Sequence, residues 1–66
     1  MYNREKVIDT IYTYVKKINS FAIVDNWEEA RKVYSEGMAD LETCYKNNEI
    51  GYSDYEWLQD VLAGVN

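Results

Sequence analysis

From Trp27 to Asn48 the apolar and small residues return at helical spacing. Trp27, Ala30, Tyr34, Gly37, Met38, Leu41, Cys44, Tyr45 and Asn48 share one face, while Glu29, Lys32, Glu36, Asp40 and Thr43 share the other. A stripe of that length, at about 100° per residue, commits the middle of the chain to an amphipathic helix. Asp25 and Asn26 are both good N-caps, and Glu28 and Glu29 place carboxylates at the positive end of the helix dipole. The spacing predicts a helix over 26–47, about 22 residues and roughly 33 Å long. Glu28 with Lys32 and Glu42 with Lys46 are i,i+4 pairs in the favourable orientation. Gly37 inside the stripe costs about 1 kcal/mol relative to Ala. Its position on the apolar face predicts close approach of another helix.

Beyond this helix, Asn47, Asn48 and Gly51 tolerate left-handed dihedrals and suit a helix end followed by a tight turn. Ser53-Asp54-Tyr55-Glu56 then matches a capping box, with Ser53 as N-cap, and Tyr52 and Trp57 occupy the hydrophobic-staple positions. Leu58, Val61, Leu62 and Val65 continue a buried face along a short helix over 53–64. The segment 47–56 is rich in oxygen ligands, but aligning Gly51 with the glycine of a calcium-binding loop puts Lys46 at the first ligand position. Turn chemistry and capping account for its polar residues, and no metal site is expected.

Upstream, Val7, Ile8, Ile11, Tyr14, Val15 and Ile18 form one face of a first helix over 3–19, with Asn3 as N-cap. Val, Ile and Thr are mediocre helix formers, so burial holds this helix more than propensity does. Ser20-Phe21-Ala22-Ile23-Val24 reads as an apolar connector, with a helical extension as the alternative. The expected fold is all-α: a small three-helix bundle with a long central helix and a C-terminal helical hairpin, residues 1–66 forming a single domain.

The chain of 66 residues has one cysteine and no histidine, so one copy offers neither a disulfide nor a Cys/His zinc site. Stability must come from packing, and the hydrophobic share of 47% with seven Tyr, two Trp and one Phe supplies the material. Met1 to Lys6 shows neither an apolar h-region nor a small-residue cleavage site, and no apolar run approaches the roughly 20 residues needed to span a bilayer. With a single thiol, a cytoplasmic protein is expected, with no membrane partner.

Catalysis is not expected either. Without His there is no ready acid–base group at neutral pH, and Cys44 lies in the apolar stripe with no base to activate it. No catalytic residue and no cofactor are assigned. Net charge is −5, divided as +2 over residues 1–24 and −7 over residues 25–66. That field disfavours direct nucleic-acid binding and favours a protein partner with a basic surface. The acidic stripe Glu29, Glu36 and Asp40, with Glu28 beside it and Asp54 beyond the turn, could present a phosphate-like array to a basic groove. The plain alternative is a solvated, solubilising face. Tyr12, Tyr52 and Tyr55, with Tyr2, fall off the stripes or near helix ends. Amphipathic rings there suit an interface, a homodimer's included, or are simply more aromatics than a small core can cover.

Leu41 to Leu58, through Tyr45-Lys46-Asn47-Asn48-Glu49-Ile50, resembles the short helical hairpins of many small accessory domains. Size, acidity and an Asn-, Lys-, Ile- and Tyr-rich composition are similar to small proteins of phages and mobile elements from AT-rich bacteria. Many of those inhibit host proteins, anti-CRISPR and other anti-defence factors among them. The resemblance implies an inhibitor of a host protein, and the phosphate-like acidic stripe would make its target a nucleic-acid-handling protein. The alternative is a homodimeric structural or regulatory adaptor.

Overall fold

A computed structural model describes residues 2–64. They form three helices, α1 Arg4–Ile23, α2 Trp27–Lys46 and α3 Tyr52–Ala63, and no strand occurs among them. The expected all-α three-helix bundle is the fold. Val65, expected on the buried face of the last helix, lies outside the described residues.

The helix limits differ from the expected ones in instructive ways. Ser20 to Ile23 extend α1 rather than forming a connector. Phe21 and Ala22 follow Ile18 at i+3 and i+4 and are half-buried, so the core-facing stripe continues for another turn. α1 and α2 are therefore equal in length at 20 residues each; α2 outreaches the 12-residue α3 as expected, and α1 matches it. At about 30 Å each, they form an antiparallel hairpin.

The two long helices end in the same way. Asp25 turns left-handed at φ 59°; its N–H donates to the Ala22 carbonyl at 3.0 Å, and Asn26 N–H donates to the Phe21 carbonyl at 2.8 Å. Asn48, at φ 60°, repeats the arrangement: its N–H donates to the Tyr45 carbonyl at 3.0 Å and Glu49 N–H to the Cys44 carbonyl at 2.9 Å. Both are Schellman closures built on Asx residues instead of glycine. Asn26 then caps α2, its side chain accepting from Glu29 N–H at 3.4 Å.

The other two expected capping residues make no side-chain cap bond: Asn3 holds the N-cap position of α1 as expected, and Ser53 does not hold that of α3. Asn3 makes no side-chain cap bond; its backbone N–H donates instead to the Glu49 carbonyl at 2.7 Å, tying the start of α1 to the α2–α3 turn. α3 begins at Tyr52 behind Gly51, one residue before the expected cap, which puts Ser53 inside the helix and out of capping register. Ile50 is almost wholly buried and pins the turn, so the chain enters α3 at once. Gly51 is extended at φ −84° and ψ 171°, not left-handed.

Leu41 and Leu58 are sealed at the centre of the core, with Val7, Ile11, Ile50, Val61 and Leu62 around them. The buried line on α2 runs through Ala30, Val33, Gly37 and Leu41. Val33 therefore belongs to the face, Asp40 falls at its edge, and Trp27, expected on it, is 53% exposed. Gly37 does mark a close approach. A Cβ there would lie 3.1 Å from Leu62 Cδ2 and 3.2 Å from Tyr14 Cγ.

Candidate functional site

At the end of the bundle formed by the α2–α3 turn and the start of α1, the short turn brings the last turn of α2 against the first turn of α3. Tyr45 and Tyr55 stack there, with ring centroids 4.5 Å apart and planes 12° from parallel. Tyr52 adds a third ring, 6.1 Å from Tyr45 and 6.3 Å from Tyr55, tilted at 61° and 49°. Rings at such distances and tilts use the attraction of a positive edge for a negative face. Tyr52 keeps 61% of its surface exposed and donates its hydroxyl to Glu56 Oε2 at 3.3 Å. The Glu56 charge, then that hydrogen bond, hold the Tyr52 phenol above its ordinary pKa. The staple contact of Tyr52 with Trp57 does not form; Trp57 meets Tyr12 edge-on at 6.4 Å.

Beside the rings, Arg4 Nε donates to Asp54 Oδ2 at 2.8 Å, and the Tyr2 hydroxyl lies 3.4 Å from the same oxygen. That hydrogen bond, and then the Asp54 charge, raise the Arg4 pKa above its ordinary value. Asp54 is thus committed within the fold. The other ion pair among the described residues is Lys46 with Glu42 at 3.0 Å, while Glu28 and Lys32 do not close one.

Folding re-sorts the charge that looked divided by sequence position. Because the hairpin is antiparallel, its half nearer the α1–α2 turn (residues 14–36) holds Lys16, Lys17, Arg31 and Lys32 against Asp25, Glu28, Glu29 and Glu36, a balance of zero. The half containing the α2–α3 turn and α3 holds Arg4, Lys6 and Lys46 against eight carboxylates, and so carries the whole net charge of −5.

Between α1 and α2 in this acidic half, Lys6, Val7, Thr10, Asp40, Cys44 and Glu49 line a cleft of about 270 Å³. The Tyr14 hydroxyl donates to Asp40 Oδ2 at 3.0 Å across the helix pair, and burial, then this bond, push the Tyr14 pKa up. Burial, followed by the Glu49 and Asp40 charges, also raises the Cys44 pKa and keeps it a thiol, the unreactive form. Among the described residues no three Cys, Asp or Glu side chains gather as a set that could hold a metal ion.

At the opposite end, Ile23 is 82% and Val24 68% exposed, next to Trp27. α3 stops at Ala63, beside a shallow hollow of about 360 Å³ whose wall includes Ile18, Trp27, Tyr34 and Leu62. With 12 residues α3 spans about 18 Å of the 30 Å hairpin, so among the described residues only its last turn, through Leu62 and Ala63, reaches this end.

Of the sequence-derived candidates, Tyr52, Tyr55 and Asp54 come together. Tyr12 stands apart on the α1–α3 flank, Glu36 and Asp40 lie along α2, and Glu28 and Glu29 lie at the balanced end. Tyr45, assigned to the core stripe, is a member of the ring cluster, and Glu56 and Arg4 complete its surroundings. Tyr45 lies seven residues before Tyr52, and only the turn geometry makes them neighbours. No protein-family model, curated protein or solved structure matches the chain. No helix of the described residues is long and apolar enough to cross a membrane.

Proposed function

We propose that this chain is a small acidic protein-binding module, without catalytic chemistry, that modulates or inhibits a cytoplasmic partner bearing a basic surface. The observation that carries this reading is the concentration of the full −5 charge in the half of the molecule that also exposes Tyr2 and Tyr52. Carboxylates steer a basic partner by long-range attraction, and exposed tyrosines supply contact area at low entropic cost. A surface with these properties competes for the groove in which a nucleic-acid-handling protein holds phosphates. That is the action of an inhibitor working by acidic mimicry, and the phage and mobile-element proteins whose composition this chain resembles include many inhibitors of host proteins. The array differs from the stripe expected on α2. Glu28 and Glu29 are offset by Lys32 and Arg31, while Glu49, Glu56 and Asp60 enter neither of the two ion pairs.

The test is capture of partners from bacterial lysate by the immobilised chain at two salt concentrations, beside a variant carrying Glu49→Lys, Glu56→Lys and Asp60→Lys. Recovery of basic, nucleic-acid-handling proteins that high salt and the variant both abolish is the expected result. Recovery indifferent to salt and to charge reversal would overturn the reading.

The exposed Ile23, Val24 and Trp27 favour a second reading, a homodimer joined at the apolar end. It predicts a doubled mass by light scattering at high concentration that Ile23→Ser with Trp27→Ser returns to the monomer. A monomeric mass throughout contradicts it.

A further inference from the structure

We propose that the tyrosine cluster at the α2–α3 turn is the anchor of this acidic surface and takes an arginine side chain of the partner, stacked on Tyr52 and bonded to Glu56. The inference rests on the reading of the chain as a module for a basic protein, and it names the contact. Tyr45 and Tyr55 each give one face to their mutual stack, at 4.5 Å, and so form a fixed base for the third ring. Tyr52 stands on that base, tilted and 61% exposed.

The face of a tyrosine ring attracts a cation, and a guanidinium within about 6 Å of the centroid gains from it. Glu56 lies one helical turn after Tyr52 and touches its hydroxyl at 3.3 Å, so a cation on the ring meets a carboxylate at once. Neither ion pair among the described residues uses Glu56. A planar guanidinium can lie flat on a ring and direct two N–H groups at a carboxylate, which a lysine ammonium cannot do. At this end the chain already pairs one arginine with a carboxylate, where Arg4 donates to Asp54 at 2.8 Å. The −5 balance of this half supplies the complementary charge that selects a basic segment over a nucleic acid or a second copy of this acidic chain.

The experiment is an NMR titration of the intact chain with a nine-residue polyarginine peptide and a polylysine peptide of equal length. The expected result is perturbation centred on the Tyr45, Tyr52 and Tyr55 rings and the Glu56 amide, with polyarginine binding the tighter of the two. Tyr52→Ala should weaken polyarginine roughly two- to fivefold, the range of an exposed cation–π contact, and bring it level with polylysine. Glu56→Gln, which keeps size and shape, should also weaken it, and circular dichroism checks that each variant is folded. Equal binding of both peptides, with perturbation spread along Glu29 and Glu36 of α2, would overturn the tyrosine anchor and leave the acidic-module reading standing. Perturbation centred on Ile23, Val24 and Trp27 would overturn the anchor as well. Binding of neither peptide would overturn both.

Discussion

The two ends of this bundle are made from similar residues and do opposite things with them. Around the α2–α3 turn three helices meet over Leu41, Ile50 and Leu58, with apolar side chains inside and carboxylates outside. Around the α1–α2 turn the charges of the two long helices cancel, only the end of α3 comes near, and Ile23, Val24 and Trp27 face water. The cause is one of length. A helix of 12 residues cannot cover a hairpin of 20-residue helices; in the half nearer the α1–α2 turn the hairpin itself buries Ala30 and Val33, while Ile23, Val24 and Trp27 stay exposed. A short third element thus gives a small domain one end packed on three sides and another whose apolar tip is left exposed.

The largest test of that contrast is a pair of truncations. Leu58→Ala, at a fully buried position, should destabilise by about 2–5 kcal/mol in denaturant unfolding. Ile23→Ser at the open end should stay within about 0.5 kcal/mol of the parent. Equal losses at the two positions would break the comparison. Gly37→Val probes the point where the end of α3 meets the hairpin. Its added methyl groups have Leu62 and Tyr14 in the way, and a loss of about 1–3 kcal/mol is expected from the same measurement.

Tyr14→Phe removes the hydroxyl that reaches Asp40 across the hairpin, and should cost about 1 kcal/mol at neutral pH. The folded pKa of Tyr14 is raised above the ordinary value of about 10, so its contribution is complete below that pH and is lost as pH rises through the folded value. Unfolding midpoints compared at pH 8 and pH 11 should therefore fall less for Tyr14→Phe than for the parent chain.

The presence and order of the three helices were legible in periodicity, because the stripes through Ile11 and Leu41 have no other arrangement that buries them. The Asn26 cap and the close approach at Gly37 were legible for the same kind of reason, each following from the residue's own chemistry at its position. The false signals came from motifs whose realisation depends on tertiary placement. Ser53 and Glu56 have capping-box spacing, but with Ile50 buried in the turn the N-cap falls two residues earlier, at Gly51, and Ser53 is out of register. Tyr45 reads as core on a helical wheel and does pack against the core, but its stack with Tyr55 depends on the turn and could not be read from the wheel. The exposure of Trp27 depends on where α3 ends, which its own helix cannot report. The signal at Asp25 was local and available, since an Asx residue after an apolar run suits a left-handed helix close as well as an N-cap.

The smallest effects are expected at the two Schellman closures. Asp25→Gly relieves a left-handed side chain and removes a negative charge from the C-terminal end of α1, and should stabilise by about 0.5–1 kcal/mol. Asn48→Gly should gain less, because Asn tolerates that conformation and carries no charge. A thermal melt that ranks them the other way would show that the turn at the packed end is the more strained of the two.

Native-state amide hydrogen exchange tests the division of the bundle most directly. Amides of α1 around Ile11, of α2 around Leu41 and of α3 around Leu58 should exchange only through global unfolding. Those of Ser20 to Ile23 and Ala30 should open locally and exchange faster. Protection that is uniform along both long helices, or greatest beside the α1–α2 turn, would contradict a bundle packed at one end and open at the other.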